Sequence, residues 1–553
     1  LTPKGLKLRK KVIQRVFQYI RLLRGKSLPR SVYEEVRRMA EIDYRFDEKI
    51  EGTRLVNMFS LLMQIYPLRG VENDPFLITE YRPRLFDSML FRLIPGNMLA
   101  LIAARDVKTD QTEPIYGTEY SFNNRSTELL RKWKNLKLHP KLALPKPNPF
   151  LPESLEVVEF RGKVRLTYQS LVGLRREALG EDLTKNLEKL VGRNFSGWQE
   201  LLSAAGFRGE AAEREALEEL LAKHALGNPV ILRDDSHTRI WYQQDFRFRK
   251  PKTRIIFRVR SPLVYDSPRN AVLSQLYSDA VSEDLNEIGY PVKLAGMEYS
   301  IGVDKKGINL SFSGYSDRIL ELVRTVSGQL KRIGINRETF ETLVEKRLRR
   351  YANFSFQQPY QQAFYYRSLL LEHPKYSLWD YEREIRSITL KDLKKFSSRL
   401  YGKTFIEGFI YGNLWSDTAE EAVDLLSMEL KGGELPNAER LREGVIQINP
   451  GTKHTLVKKM EIENSAALIE VQLDQTTPWL RGTLMVLDTA LQPQFYNELR
   501  TSQQLGYIVN SGMTELEKTL SLIFIVQYAG FVNLINLKGK QISLAGGLAH
   551  ARF

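Results

Sequence analysis

Six histidines and no cysteine set the first limits on what this 553-residue chain can do. The histidines are His139, His224, His237, His373, His454 and His550, and the closest two, His224 and His237, are 13 residues apart. A helix that aims two imidazoles at one metal ion needs them about four residues apart on one face, as in His-x-x-Glu-His or His-Glu-x-x-His. Neither pattern occurs. Glu372-His373 is a fragment of one, and Pro374 follows it directly. The absence of cysteine removes disulfides, thiol nucleophiles and thiolate metal sites together. Gly546-Gly547 has neither the following Lys nor the preceding strand of a phosphate-binding loop. Lys and Arg number 82 against 66 Asp and Glu, a net charge of +16, which favours acidic or polyanionic partners.

Two groups of polar side chains remain as candidates. Arg247, Arg249, Lys250, Lys252, Arg254, Arg258 and Arg260 crowd one segment. They read either as a solvated strand face or as a wall that meets anionic peptide. Nucleic acid is not an expected partner, because the basic residues are scattered and no recognised binding motif is present. Arg500 and Tyr507 form the second group, seven residues apart among Leu499, Leu505 and Ile508. On residue types alone the three apolar residues are core, and Arg500 and Tyr507 decorate a helix end and a strand.

The elements that position these residues can be read from periodicity. Val12, Ile13, Val16, Phe17, Ile20 and Leu23 recur at helical spacing. A second helix is expected after Ser31, with Glu34 closing a capping box. Met98–Ala103 reads as a buried strand, Thr253–Arg260 as a half-buried one, and Ile308–Ser313 as a third. Helices are expected around 268–287 and 316–332. Five prolines between about Lys132 and Leu155 resist helix and sheet, so that stretch reads as a linker. Residues 162–227, rich in Leu, Ala, Glu, Lys and Arg, should form short packed helices. No run of about 18 apolar residues exists, so no membrane span is expected. Trp198 and His224 read as packing and surface residues.

Internal similarity adds a constraint. An offset of 307 carries Tyr66-Pro67 onto His373-Pro374, Phe86 onto Leu393, Leu93 onto Leu400 and Met98–Ala103 onto Phe405–Ile410. It also carries the helix near Glu34 onto one near Glu341. Removing the insert of about 66 residues leaves a repeat of about 240, so one α/β unit occurs at least twice.

The segment Gln492-Pro-Gln-Phe-Tyr-Asn-Glu-Leu-Arg-Thr-Ser-Gln-Gln-Leu-Gly-Tyr-Ile-Val, ending at Val509, strongly resembles the insulinase/pitrilysin family of zinc metallopeptidases, the inverzincins. Phe17-Gln-Tyr-Ile20, Arg45-Phe46, Tyr81-Arg-Pro-Arg84, Tyr116-Gly-Thr-Glu-Tyr120, Leu294-Ala-Gly296 and Gln358-Pro-Tyr-Gln-Gln-Ala363 agree in order and spacing. The resemblance spans about residues 1–160 and 228–528.

It implies an α+β protein made of repeated insulinase-type units, each an antiparallel-rich sheet with helices on one face, plus a small helical insert. Four such units pair into two half-shells around a chamber. Residues 1–130 would be the carboxyl-terminal part of the second unit and 131–155 a linker. Residues 156–440 would be the third unit, with the insert at 162–227, and 441–553 an incomplete fourth. The family's zinc lies in the first unit, so its ligands are not expected in this chain. Arg500 and Tyr507 match an Arg and a Tyr that the fourth unit brings to the active site. By resemblance, Tyr507 would donate its phenol to the scissile carbonyl as it becomes an oxyanion, and Arg500 would hold the substrate backbone or support the tyrosine. The implied partners are peptide substrates and a missing zinc-bearing amino-terminal half, in the same longer chain or a separate subunit. In the separate-subunit case this chain would be a non-catalytic scaffold. A start at Leu1 points to a longer parent chain, and the loss of helical pattern after Gln527 to a truncation or frame change near residue 528. A bacterial pitrilysin relative would be periplasmic, and another relative cytoplasmic.

Overall fold

Strict alternation builds the central sheet. The computed structural model describes residues 3–47, 50–104, 107–122, 127–161, 164–167, 180–224 and 229–528. In Lys252–Arg260 the side chains of Thr253, Ile255, Phe257 and Val259 are buried while Lys252, Arg254 and Ile256 are exposed, the period-two signature of a strand with one face on a core.

After a single helical turn at Pro3–Lys7, four longer helices follow: α1 (Arg9–Arg24), α2 (Arg30–Phe46), α3 (Gly52–Leu62) and α4 (Pro83–Arg92). The insert contributes α5 (Glu181–Lys189), α6 (Trp198–Ala204) and α7 (Ala211–His224). The large unit that follows holds β1 (Val230–Asp234), β2 (Thr238–Gln244), β3 (Lys252–Arg260), α8 (Pro268–Asp284), α9 (Asn286–Leu294), β4 (Glu298–Val303) and β5 (Gly307–Tyr315). It continues through α10 (Ile319–Ser327), α11 (Arg337–Ala352), α12 (Pro359–Leu371), α13 (Leu378–Ile385), α14 (Leu390–Leu400), β6 (Lys403–Gly412) and α15 (Ser416–Leu430). A last unit contains β7 (Ser465–Gln475), α16 (Pro478–Tyr496), β8 (Ile508–Leu516) and β9 (Thr519–Tyr528).

The large sheet runs β1-β2-β6-β3-β5-β4, with the short strand Gly433–Glu434 also on β6. Its pairings are antiparallel except β6 with β2 and β6 with Gly433–Glu434. Ile240, Ile255, Phe257, Leu310, Phe312 and Ile410 from the sheet join Val272, Leu276, Leu322, Leu393 and Val423 from the helices in one continuous core. The second sheet, β7-β9-β8, is wholly antiparallel. This is an α+β architecture, in agreement with the sequence reading. Among the described residues no helix is long and apolar enough to cross a membrane.

Several expectations need correction. The strand expected at Met98–Ala103 is absent: the segment has no regular structure, and Leu99 and Leu101 are exposed. A strand is held by ladder hydrogen bonds to a neighbour, and this segment has no paired neighbour among the described residues. Ser31 does not cap α2, which begins at Arg30 after an extended Pro29, and Glu34 is engaged by Arg37 instead. The proline-rich stretch has no helix or strand between 135 and 161, yet it is docked rather than free. Phe150 is buried in the main core, Asn148 donates its side-chain amide to Pro291 O at 2.8 Å, and Asn413 donates to Glu156 O at 2.7 Å. The insert forms a core of its own, in which Leu187, Leu201, Leu221 and Trp198 pack with Phe246. The side chain of His224 and the tail 529–553, including the change expected near residue 528, lie outside the described residues.

Candidate functional site

Thr477 caps α16 by accepting from Leu480 N–H at 3.1 Å, and the helix ends in a wider π-helical turn, Asn497–Ser502. That turn is where Arg500 sits. Phe495 and Leu499 anchor it inward on Val509, Leu505, Phe524 and Val526. The chain then reverses: Gln503 N–H donates to Glu498 O, Leu505 N–H donates to Leu499 O, and Gln504 takes a left-handed φ of 51°. Gly506 follows because a Cβ there would stand 2.6 Å from Gln527 O. Tyr507 enters next to β8, its N–H donating to Gln527 O at 2.9 Å.

This folding brings the two candidate residues together. The Arg500 guanidinium carbon lies 4.8 Å from the centroid of the Tyr507 ring. A cation over an exposed phenol face is worth about 0.5–1 kcal/mol. Tyr507 is 76% exposed, and its hydroxyl has no hydrogen-bond partner among the described residues. The phenol therefore carries an open O–H, with its backbone held by β9 and its ring face covered by Arg500.

Gln527 was not singled out as a site residue in the sequence. Besides holding Tyr507 N–H, it accepts Tyr360 N–H at 3.0 Å on Oε1 and donates through Nε2 to Gln358 Oε1 at 2.9 Å. Gln358 also caps α12, with Gln361 closing the box. The Gln358–Ala363 motif thus stands directly behind Tyr507. The available signal was a lone polar residue after the apolar run Leu522–Val526. A second clamp joins the same elements: Arg367 of α12 forks onto Glu470 of β7 at 2.5 and 2.8 Å, with both side chains nearly buried.

The basic segment is largely engaged in the fold. Arg258 donates to Asp304 and Asn309 at 3.0 Å each, Arg260 pairs with Glu407 at 2.9 Å, and Lys250 donates to Phe46 O at 3.1 Å. Lys252 lies over the Tyr315 ring and Arg247 over Phe248. A cavity of about 550 Å³, bounded by Gln275, Asp279, Arg347, Tyr351, Phe354 and Tyr381, has its polar lining similarly paired. Arg347 forks onto Asp279, and the Tyr351 hydroxyl donates to Gln275 at 2.8 Å.

Comparison with known proteins places this geometry. A family profile described as "Middle or third domain of peptidase_M16" matches residues 44–171 and 213–384, more than half of the chain. The chain belongs to the M16 peptidase family. The residues that the profile leaves unmatched between its two segments, 172–212, fall inside the helical insert of this M16 chain. A second profile, described as the C-terminal lobe domain 4 of a PQQ synthase PqqF-like protein, matches 486–530, the stretch that holds Arg500 and Tyr507. Insulin-degrading enzyme of Mus musculus is 26% identical over 534 residues, 95% of this chain and 46% of that enzyme. The insulin-degrading enzyme-like 1, peroxisomal, of Arabidopsis thaliana is 24% identical over 539 residues, 95% of this chain and 49% of that protein. The crystal structure of pitrilysin superimposes with a TM-score of 0.64 at 18% identity, over 98% of this chain and 51% of that one. This M16 chain spans about half the length of the curated relatives that it matches.

Three described histidines are engaged at separate places in the fold. His139 accepts Lys141 N–H at 3.3 Å, His237 hydrogen-bonds Ser236 Oγ at 2.9 Å, and His373 lies in a two-residue strand paired with Gly444. Among the described residues no group of three or more His, Asp or Glu is placed to hold a metal ion. The described residues do not fit a zinc site, and no chemical step is assigned to a metal held by them.

Proposed function

We propose that this chain is the carboxyl-terminal half of a pitrilysin-like zinc endopeptidase, walling the chamber and binding unstructured peptide for hydrolysis. The zinc belongs, in this reading, to an amino-terminal half carried on the same longer polypeptide or on a separate chain, and without it this chain is inactive. The observation that carries the reading is the placement of Arg500 over the ring of the exposed Tyr507, whose hydroxyl has no partner among the described residues, in a segment that matches a PqqF-like C-terminal lobe profile.

The Tyr507 O–H donates to the scissile carbonyl oxygen as negative charge builds on it. A placed donor at a developing oxyanion contributes about 3 kcal/mol to the transition state. Arg500 fixes the ring and offers its remaining N–H groups to the peptide main chain. Exposed Arg254 and Ile256 on β3 give a mixed basic and apolar surface suited to a flexible acidic peptide.

The test is fluorescence anisotropy with a labelled unstructured peptide of about 10–30 residues. The chain alone binds it, Arg500→Ala weakens binding, and the peptide stays intact. Absence of binding by a folded chain overturns the peptide-wall reading.

A further inference from the structure

The cavity beside Arg347 is bordered by an open strand. β4 is the last strand of the order β1-β2-β6-β3-β5-β4, so only one of its edges is paired. Asp304, which follows it, donates its N–H inward to Gly307 O at 3.1 Å. Alternation then turns the N–H and C=O groups of Val303 and Ile301 the other way, out of the sheet. The contact of Ser278 Oγ in α8, which donates to Ile301 O at 3.0 Å, agrees with that direction. The outward N–H groups of Ile301 and Val303 meet no acceptor among the described residues. Ile301, Gly302 and Val303 all line the cavity, so the open edge gives onto it.

The facing wall is the end of α11 and the turn after it. Arg347 is fully occupied there, forking onto Asp279 at 2.5 and 2.8 Å and reaching Gln275 at 3.2 and 3.3 Å. Arg349 pairs with Glu345 at 3.6 Å. Arg350 differs from both. It lines the cavity, is exposed, and has no hydrogen-bond or ion-pair partner among the described residues. Its charge reaches the hydroxyl of Tyr351, another lining residue. Phe354 and Leu378 make the wall partly apolar. The volume of about 550 Å³ lies within the range of ligand-binding clefts. All the lining residues fall between Gln275 and Tyr381, inside the large unit.

We propose that this cleft takes an extended peptide segment as an added strand on β4, with an apolar side chain against Phe354 and Leu378 and a carboxylate on Arg350. An unpaired strand edge is a template for such pairing. Main-chain hydrogen bonds to Ile301 and Val303 give affinity whatever the sequence, while the apolar wall and Arg350 set the preference. The carboxylate is an acidic side chain or the peptide's own carboxyl terminus. The site shares no residue with Arg500 and Tyr507, and the proposal does not depend on the peptidase reading.

Fluorescence anisotropy of labelled peptides of about six residues on the full chain tests it. One probe is Thr-Val-Thr-Val-Glu-Thr with an amidated end, and the other has Gln for Glu and a free carboxyl end. At least one binds, and which one does so identifies the source of the carboxylate. Only alternate N–H groups of an added strand point at β4. Of two versions of the bound peptide N-methylated at alternate main-chain nitrogens, one therefore loses binding and the other keeps it. Arg350→Glu, at an exposed position and so expected to melt like wild type, weakens binding about tenfold or more. Arg500→Ala leaves it unchanged. Failure of both probes, equal binding by the two N-methylated versions, or no effect of Arg350→Glu each overturns the proposal. Failure of both probes while a longer peptide still binds through Arg500 overturns this proposal alone and spares the reading above.

Discussion

The Gln527 carbonyl accepts the Tyr507 N–H at 2.9 Å while the Gln527 side chain holds Tyr360 and Gln358. One residue on β9 therefore ties the exposed phenol to the cap of α12 in the neighbouring unit. Placement of Tyr507 depends on the junction between the two sheets as well as on its own strand.

Replacing Gln527 with Leu should leave the part-buried Tyr360 N–H without its acceptor, while the exposed Gln358 Oε1 turns to water. A buried donor left unsatisfied costs about 1–3 kcal/mol. Urea denaturation should show a loss in that range with an unchanged slope, and peptide affinity should fall with it. A variant as stable as wild type would show that the junction hydrogen bonds contribute nothing.

The Arg367–Glu470 pair should behave as a buried ion pair. Glu470→Leu alone strands the guanidinium and should cost about 3–5 kcal/mol. Adding Arg367→Met to it should recover most of that loss, since both charges then leave together. A double variant no better than the single one would contradict this account.

Acid should loosen the ion pairs that Lys305 and Lys306 of the β4–β5 turn make with Glu372, Glu443 and Glu517. Burial acts to raise the Glu372 carboxyl, but the hydrogen bond from Lys305 and the charges of Lys375 and Lys305 overcome it and hold it below the ordinary range. Burial opposes ionisation of Glu443 too, and Lys306 at 2.6 Å again prevails. Glu517 moves the other way, raised by burial and by its hydrogen bond with Glu443. A carboxyl depressed on folding stabilises above its unfolded pKa, and that stabilisation is lost as pH falls through the folded value. Glu372→Gln should therefore cost about 2 kcal/mol at neutral pH. The deficit should shrink as pH falls below the ordinary carboxylate range and vanish only below the depressed folded value, where wild type has also lost the charge. A pH-independent deficit would show that packing, rather than ionisation, is responsible.

The insert should unfold without taking the site with it. Leu201→Ala deletes a fully buried side chain from its separate core and should cost about 2–5 kcal/mol of local stability. Hydrogen exchange should quicken in α5–α7 while β8 and β9 keep their protection. Exchange that quickens equally in both would make the insert part of the main core.

Part of the large unit was legible in the sequence, because β3 and β5 alternate and α8 falls in a stretch expected to be helical, while the caps that open several of its helices were not read. Ser267 and Thr389 accept from N–H groups three residues on, and Thr253–Arg260 alternates along its length. Met98–Ala103 misled because apolar composition marks a segment that wants a partner strand, while pairing is a property of the neighbours. Tyr507 and Arg500 were readable as a motif, but their stacking depends on a π-helical turn and a left-handed Gln504 that no periodicity announces. Gln527 was hidden because its role joins residues 167 or more positions apart.

The most direct test of the central claim is incubation of the purified chain with a quenched-fluorescent peptide, with and without a zinc chelator, alongside Tyr507→Phe. The account predicts no cleavage in any of these samples, because the zinc belongs to a half that this chain does not include. Chelator-sensitive cleavage that Tyr507→Phe abolishes would contradict it, since the zinc ligands would then have to lie within this chain.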